Sequence, residues 1–365
     1  MKFLHLIFLL YLFVLPACNG SVESSTTNGH KNQPVNDSND WLIPKDEIED
    51  GGPGKDGIPS VDNPKFAEAQ NTNYIDESRL VTGIKIDGAI KAYPHQVMDY
   101  HEIVNDQIGD VYFALTYCPL TGTAIAWKRN ADLEYGVSGL LFRNNLIPYD
   151  RNTDSRYSQM QMRAVNGPRS GFMLTTIPVI QTSWTTWKSI YPHSQVLTTK
   201  TGYNRNYNQD LYGKEYRDKD SAPLFPITNI DHRLPTKERV HGIIWGKLAN
   251  EKANVRTYEI DKFGNGIHLI HDNFAGGPIT IIGSSDKNFA VSFFNTLEDG
   301  AVLQFKAIQD SLPVIMKDQE GNYWDIFGYA IQGPRKGSRL KATNSYTGYW
   351  FAWADFFPDL EIYRF

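Results

Sequence analysis

The sequence contains very little cysteine. Of its 365 residues, two are cysteines, Cys18 and Cys118, and Cys18 stands directly after an apolar leader. If Cys18 is modified when the leader is removed, Cys118 has no thiol left to pair with. The fold therefore cannot depend on an internal disulfide, although an exported protein would be in a compartment that permits one.

Long apolar runs and clusters of basic residues are scarce as well. The apolar run at residues 3–16 is shorter than a membrane-spanning helix requires. The chain has 36 basic and 41 acidic residues, a formal net charge of −5, and no run rich in Lys and Arg. Nucleic acid is therefore not an expected partner. A hydrophobic fraction of 41% is enough for a substantial core in a chain of this length.

The first 17 residues are typical of a bacterial export signal. Lys2 supplies the positive charge, and Leu15-Pro16-Ala17-Cys18 resembles a lipobox, where cleavage before Cys18 would leave that cysteine lipidated. An ordinary signal peptide cut nearby, or an uncleaved anchor, is the alternative. Residues 18–40 are rich in Ser, Thr and Asn, which predicts a flexible tether. We expect a protein of the cell envelope, periplasmic or outer-membrane associated, with the membrane as its partner through the lipid.

Composition and repeated residues divide the rest of the chain. Residues 41–78 form a Gly/Pro-rich arm, 79–192 a first half, 193–238 a Tyr-rich connector and 239–365 a second half. Residues of the first half recur in the second at one constant spacing: Gly167-Pro168-Arg169 as Gly333-Pro334-Arg335, Trp184 as Trp350, and Trp187 as Trp353. The spacing predicts an internal duplication, with two pseudo-equivalent halves that share one core. Because strand-like runs dominate both halves, the predicted fold class is β-rich α+β.

Residues 116–123 are the candidate functional site of the chain. They lie between two β-prone runs, 111–115 and 123–127, and Pro119 and Gly122 predict a tight corner that presents Cys118. A thiolate at this corner would suit a nucleophile or a soft-metal ligand. The alternative is a small buried hydrophobe that ends a strand.

Two histidines are the candidate partners of Cys118. His101 would be a general base or a second metal ligand, with Glu102 or Asp106 to orient its ring, and His95 would be a third ligand to copper or zinc. The alternative for His101 is structural: the following Asn105-Asp106 makes a turn and the histidine satisfies it.

Further polar residues are present in the first half without a counterpart at the same spacing. Asp150-Arg151 would bind an anionic group, since arginine presents a fork that matches carboxylate or phosphate, or it would form an ordinary loop salt bridge. In the arm, Lys55-Asp56 would close over the site or remain a solvated charged turn. The candidate binding residues are Asp150, Arg151, Lys55, Asp56, Ser138 and Gln159.

Three of these motifs together resemble a known bacterial family. They are Tyr117-Cys118-Pro119-Leu120-x-Gly122-Thr123-Ala124, Ser138-Gly139-Leu140-Leu141 and Tyr149-Asp150-Arg151-x-Thr153-x-Ser155. The sequence from about residue 41 to 365 resembles the extracytoplasmic domain-of-unknown-function family catalogued as thirty-one seventy-nine. The resemblance implies an extracytoplasmic location and no particular activity. The family's usual motif has a second cysteine where this chain has Thr121, so neither a dithiol redox centre nor a two-thiolate metal site is implied.

Three functional hypotheses follow, and they leave open whether the protein is an enzyme. The first is an enzyme or transferase that acts through Cys118 with His101 nearby. The second is a copper or zinc protein that uses Cys118, His101 and His95. The third is a non-catalytic lipoprotein that binds a ligand or a protein partner, with the motifs serving the fold. The sequence has no Ser-His-Asp elbow, zincin helix, EF-hand loop or dinucleotide fingerprint.

Overall fold

β-strands make up most of the regular structure, because β-branched and aromatic residues fill the segments between turns. The computed structural model describes residues 40–246, 253–274 and 276–365. The predicted signal peptide, Cys18 and the tether up to residue 39 lie outside the described residues. The prediction of a β-rich fold is confirmed, and helices are few and short. Within the described ranges, no helix is long and apolar enough to cross a membrane.

The arm, the first half and the start of the connector contain the first fourteen strands and two helices of the described chain. The strands are β1 (Ile48–Asp50), β2 (Phe66–Glu68), β3 (Leu80–Ile86), β4 (Ala89–Pro94), β5 (Ile103–Ile108), β6 (Val111–Cys118), β7 (Thr123–Lys128), β8 (Tyr135–Phe142), β9 (Asn145–Asp150), β10 (Arg156–Ser158), β11 (Arg163–Asn166), β12 (Thr176–Ile177), β13 (Val179–Ser183) and β14 (Gln195–Leu197). The helices are α1 (His95–Met98) and α2 (Trp184–Ile190), with short 3-10 turns at Lys45–Glu47 and Ala69–Asn71.

The connector carries one short helix and leads into the second half. This helix is α3 (Gly213–Arg217). The second half contains β15 (Arg239–Trp245), β16 (Asn254–Glu259), a 3-10 turn at Ile260–Phe263, β17 (His268–Phe274), β18 (Gly277–Ser284), β19 (Phe289–Phe294), β20 (Phe305–Ala307), β21 (Val314–Asp318), β22 (Tyr323–Asp325), β23 (Ala330–Gln332), β24 (Ser345–Tyr349), α4 (Trp350–Phe356) and β25 (Glu361–Ile362).

The described strands form small, mainly antiparallel sheets. In the arm, the first half and the start of the connector their orders are β1-β8-β9-β10-β11, β12-β7-β6-β5 and β13-β3-β4-β14-β2. In the second half they are β24-β15-β16-β25, β17-β18-β19 and β20-β21-β22-β23. Strands β4 and β14 are parallel, and so are β16 and β25. Several elements of the second half begin 166 residues after their counterparts: β18 after β6 (277 − 111), β19 after β7, β24 after β13 and α4 after α2.

Two buried tryptophans pack in the same way on glycines of the neighbouring sheets. A Cβ atom on Gly83 would lie 1.9 Å from the Trp187 ring, and one on Gly242 would lie 2.4 Å from the Trp353 ring. Both distances are far inside van der Waals contact, so only glycine allows each indole to lie flat on its strand. Trp187 and Trp353 are fully buried.

The two halves also pack against each other reciprocally. Strand β13 of the first half packs on β19 of the second, and β24 of the second packs on β7 of the first. Thr182 donates to the carbonyl oxygen of Lys287 at 2.6 Å, and the amide of Tyr349 donates to the carbonyl oxygen of Thr121 at 2.8 Å. One hydrophobic cluster therefore contains Cys118 together with Trp353.

Candidate functional site

The corner predicted around Cys118 lies between β6 and β7. Cys118 pairs with Thr123 across the turn, and Gly122 adopts a positive φ of 65°, which favours glycine. A Cβ atom there would lie 3.1 Å from the Tyr349 ring. The hydroxyl of Tyr216, in the connector, donates to the carbonyl oxygen of Leu120 at 2.8 Å. The corner is thus held by the first half, the connector and the second half together.

The Cys118 thiol is buried and protonated at neutral pH. Its side chain is 1% exposed, and Sγ lies 3.5 Å from the carbonyl oxygen of Asn144, to which it donates. Burial raises the pKa of the thiol to about 11. Glu102 raises this pKa further, whereas hydrogen bonding with Thr121 lowers it. The nucleophilic form of cysteine is the thiolate, so this surrounding does not activate the sulfur.

Gln159, a predicted binding residue, belongs to a buried hydrogen-bond network behind the corner. Its Nε2 donates to Thr116 Oγ1 at 2.9 Å, and its Oε1 accepts from Thr123 Oγ1 and Asn145 Nδ2, each at 2.7 Å. Asn145 Nδ2 also donates to Thr121 Oγ1 at 3.0 Å. The network joins β6, β7, β9 and the corner, so it fixes the position of the residues around Cys118.

The structure places His101 between the arm and the connector. Nδ1 is hydrogen-bonded to the carbonyl oxygen of Pro59 at 2.8 Å, and Nε2 to the Tyr207 hydroxyl at 2.6 Å. Burial lowers the pKa of the imidazole. Both ring nitrogens are engaged, and no hydrogen bond among the described residues joins His101 to Cys118. Asp106 does not orient His101 either: its carboxylate accepts from Lys91 at 2.8 Å and from the Tyr93 hydroxyl at 2.6 Å.

His95 lies at the start of α1, under the ring of Tyr117. Its Nε2 is hydrogen-bonded to Thr82 Oγ1 at 2.8 Å, and the two ring centroids are 4.0 Å apart. Burial, with added repulsion from Arg239, Arg217 and Arg79, holds the pKa of His95 well below its usual value, so the imidazole is neutral. In the described part of the chain, no group of three or more His, Cys, Asp and Glu side chains is arranged to hold a metal ion. The copper or zinc site stays a prediction that metal analysis of the purified protein tests.

The remaining predicted binding residues bond within the arm and the adjacent loops. Asp150 accepts from the amide and hydroxyl of Thr153 at 2.6 and 2.7 Å. Arg151 donates to Asp62 at 2.7 Å and to Glu134 at 3.0 Å. Three further contacts complete the set: Lys55 with Asp154 at 2.7 Å, Tyr149 to Asp56 at 2.5 Å, and Ser138 to the carbonyl oxygen of Ile147 at 2.5 Å. None of these contacts involves Cys118.

The sequence points to His95 and Glu102, but not to the group of buried and half-buried polar residues beside Cys118 to which they belong. We call this group the polar cluster. Its members come from the first half, the connector and the second half, and the charges of Asp99 and Arg217 act on both Tyr117 and Tyr349. The members are Arg79, His95, Gln96, Asp99, Glu102, Tyr117, Gln181, Asp210, Arg217, Arg239 and Tyr349. The sequence signal for them is weak, since Arg217 is one charged residue in a polar connector and Arg239 only begins a strand.

A chain of ion pairs closes one side of the polar cluster. Arg217, at the end of α3, donates to Asp99 at 2.9 Å and to Asp210 at 2.5 Å. Arg79 lies 3.2 Å from the other oxygen of Asp210. These contacts tie the connector to the first half directly over the end of α1.

Three buried polar atoms of the cluster have no hydrogen-bond partner among the described residues. They are Asp99 Oδ1, Gln96 Oε1 and Arg239 Nη1. Arg239 Nη2 donates to Gln181 Oε1 at 3.0 Å, and Gln181 Nε2 donates to the carbonyl oxygen of Gly122 at 3.1 Å. A buried polar atom without a partner is costly, and in a native protein it is usually satisfied by a water or a ligand.

The carboxyl groups of the cluster carry less negative charge than the count of acids suggests. Burial, reinforced by Asp99, raises the pKa of Glu102 to about 8. Burial also raises the pKa of Asp99 to about 6, against the opposing charges of Arg217 and Arg79. Glu102 is therefore protonated near neutral pH while guanidinium groups stay charged. The balance leaves a surplus of positive charge at Arg239.

The comparison with protein families identifies this chain. A model of the family described as protein of unknown function, DUF3179, matches residues 55–360. The chain belongs to the DUF3179 family. The resemblance inferred from the motifs is confirmed, and the DUF3179 match includes Cys118 and every residue of the polar cluster. No curated protein and no solved structure matches the chain.

Proposed function

We propose that this DUF3179 protein binds a small oxyanion, a carboxylate or a phosphate, in the polar cluster, with Arg239 as the anchor. The observation that carries the proposal is the buried guanidinium nitrogen Nη1 of Arg239, which has no partner among the described residues. Guanidinium presents paired donors that match the oxygens of carboxylate and phosphate.

The surroundings of Arg239 support an anion rather than a cation. Burial lowers the pKa of Arg239, while the charges of Asp261 and Glu238 act in the opposite direction. None of the ion pairs between described residues includes its guanidinium. The nearby Tyr117 and Tyr349 hydroxyls keep their protons, because burial raises the pKa of both. They are available as donors to a ligand, and the protonated Glu102 adds no repulsive charge.

Thiol chemistry at Cys118 is the second candidate function, and the geometry supports it less. The thiol lies in the same region as the polar cluster, since Glu102 acts on its pKa. However, burial favours the protonated sulfur, and His101 is hydrogen-bonded elsewhere. A non-catalytic ligand-binding protein therefore fits the site better than an enzyme that acts through a thiolate.

Calorimetric titration with sodium acetate and with inorganic phosphate, at constant ionic strength, tests oxyanion binding. At least one of the two anions should bind saturably to the wild type. Arg239→Gln should weaken that binding by about 10- to 100-fold, the value of a hydrogen bond to a charged group. Arg335→Gln is the matched control, because Arg335 is a surface residue that already pairs with Glu320 and Asp299, and it should bind as the wild type does.

Either of two results would refute the oxyanion proposal: no saturable binding of acetate or phosphate, or equal binding by the Arg239→Gln variant. If Arg239→Gln fails to fold, Tyr349→Phe replaces it, because it keeps the ring that packs on Gly122 and removes only the hydroxyl. It should weaken binding about fivefold, as expected for one neutral hydrogen bond.

We further propose that the protein is lipidated at Cys18 and held at the cell envelope, as the lipobox-like leader and the polar tether indicate. Cys18→Ser should move the folded protein from the membrane fraction to the soluble fraction. A variant that stays in the membrane fraction would rule out the lipid anchor.

We also infer that the two halves descend from an internal duplication. The recurring Gly-Pro-Arg and tryptophan residues support this inference, and so do the elements that begin 166 residues apart, such as β6 and β18 (277 − 111). The test is to compare the contact of Trp187 with Gly83 and that of Trp353 with Gly242 through the variants Gly83→Ala and Gly242→Ala, both of which should be destabilised.

A further inference from the structure

A cavity between the two halves is separate from the polar cluster. Its walls are apolar residues of β7, β12, β13 and β19, such as Ala124, Ile177 and Val291. One end is polar and is lined by His241, Ser292, Thr343 and Ser345. The enclosed volume is about 50 Å³, roughly enough for a small head group or a few water molecules.

The polar end of the cavity is a connected hydrogen-bond network with one unused atom. His241 Nε2 is hydrogen-bonded to Ser292 Oγ at 2.7 Å, and Ser292 Oγ is hydrogen-bonded to Thr343 Oγ1 at 2.5 Å and donates to Ser345 Oγ at 3.2 Å. The His241 side chain is 4% exposed, and its Nδ1 is buried without a partner among the described residues. An unused nitrogen on a residue that lines a cavity is a binding position for a polar group.

The cavity continues into an open groove. The two spaces share the lining residues Met162, Thr176, Pro178, Ala342, Thr343 and Asn344. The groove has a volume of about 900 Å³ and is lined by further apolar side chains, including Met173, Leu174 and Trp245. Met173 and Trp245 are 43% and 42% exposed. The groove is within the range of small-molecule sites, roughly 300–1,000 Å³, whereas the inner cavity alone is too small for more than a head group.

The polar end carries no net charge. Burial lowers the pKa of His241 to about 3, so its imidazole is neutral, and the hydroxyls beside it are neutral as well. The charged residues that line the two spaces, Glu298, Arg339 and Lys341, all belong to the outer groove. An ionised head group would therefore lose its hydration without gaining a countercharge.

We propose that this cavity and groove bind an elongated apolar molecule that ends in an uncharged hydrogen-bond donor, an alcohol, with that group on His241 Nδ1 and the apolar body in the groove. The juxtaposition that carries the proposal is the unpartnered His241 nitrogen at the polar end of an otherwise apolar cavity. Catalysis by the Ser292–His241 pair is not part of it, because no third group in the described part of the chain orients the imidazole and a histidine of low pKa is a poor base.

Calorimetric titration with 1-octanol and with octanoate tests this site, because the two probes share a chain length and differ in head-group charge. The protein carries Cys18→Ser so that no detergent competes for the groove. We expect saturable binding of 1-octanol to one site at pH 7, and binding of octanoate weaker by at least about tenfold because its charge must be desolvated. Octanoate that binds as tightly as 1-octanol would overturn the assignment of an uncharged head group.

Two variants separate this site from non-specific hydrophobic binding. His241→Phe keeps a ring and removes the hydrogen bond, so it should weaken 1-octanol binding about fivefold. Ala342→Phe places a bulky side chain where cavity and groove meet, and it should abolish the binding while thermal melting shows a folded protein. Phosphate and acetate binding at the polar cluster should be unchanged in both variants. If 1-octanol binds the wild type and a folded Ala342→Phe variant equally, the proposal is wrong, and the same holds if the wild type shows no saturable binding.

Discussion

Replacing Glu102 by glutamine tests the protonation state of the polar cluster. Burial, reinforced by Asp99, raises the pKa of the Glu102 carboxyl from 4.5 to about 8. As pH rises, the unfolded chain releases this proton near pH 4.5, whereas the folded chain keeps it up to about pH 8. The stability that the neutral carboxyl contributes is therefore complete below pH 4.5 and is lost between pH 4.5 and about pH 8.

The size of the effect follows from the two pKa values. Each unit of pKa difference corresponds to about 1.4 kcal/mol, so the wild type should lose about 4 kcal/mol of this contribution between pH 5 and pH 9. Glutamine has nearly the same shape and no charge to bury. Like glutamate, it has an unbranched side chain, so the substitution adds no strain at the positive φ of 56° of position 102. The free energy of unfolding of Glu102→Gln, relative to wild type, should therefore rise by about 4 kcal/mol over this pH range.

Urea denaturation followed by tryptophan fluorescence at pH 5, 7 and 9 measures this difference. Glu320→Gln is the control, because Glu320 is a surface residue whose pKa Arg335 lowers. Its carboxyl is ionised in both states across most of this range, so its difference from wild type should stay nearly flat. If the Glu102→Gln difference is equally flat, Glu102 is ionised in the folded protein at neutral pH, and the surplus positive charge at Arg239 does not exist.

Two further predictions concern the corner and the tryptophan contacts. In the Cys18→Ser protein at pH 7.5, native Cys118 should react with iodoacetamide at least about 100-fold more slowly than unfolded Cys118, since burial raises its pKa from 9.0 to about 11. Native and unfolded rates within tenfold of each other would contradict the burial of the thiol. Gly83→Ala and Gly242→Ala should each reduce the free energy of unfolding by at least about 2 kcal/mol, because the new Cβ atom would overlap Trp187 or Trp353. Thermal melts in which only one of the two variants is destabilised would count against equivalent halves.

The sequence predicts well the features that depend on neighbouring residues. The corner is flanked by β6 and β7 because Pro119 and Gly122 interrupt two runs of strand-forming residues. The repeated tryptophans lie on two short helices that begin at Trp184 and Trp350, so the constant spacing of the residues is matched by the spacing of these elements. The family resemblance also holds, because it rests on several ordered motifs rather than on one.

Contacts between distant segments could not be predicted in this way. The sequence pairs His101 with Cys118 and with Glu102 or Asp106, whereas its ring bonds to Pro59 and Tyr207. The polar cluster depends on Arg217 reaching Asp99 and on Arg239 reaching Gln181. These partners are far apart in the sequence and meet only when the connector and second half are in place. No periodicity or turn motif in the sequence predicts these contacts, because each arginine taken alone is typical of a solvated surface.

The reciprocal packing of the halves has a consequence for how the protein is made. If the protein is exported as we propose, the chain is delivered from its N-terminus, and Cys118 and Glu102 cross the membrane before Arg239 and Tyr349 do. Until β24 lies on β7, the first half exposes the surface that the second half later covers, and it remains open to proteases and chaperones. A prematurely terminated chain would lack both the anchoring cation and the cover over the corner. Under the proposed export and anion binding, only a molecule whose whole chain has been translocated could therefore bind the anion.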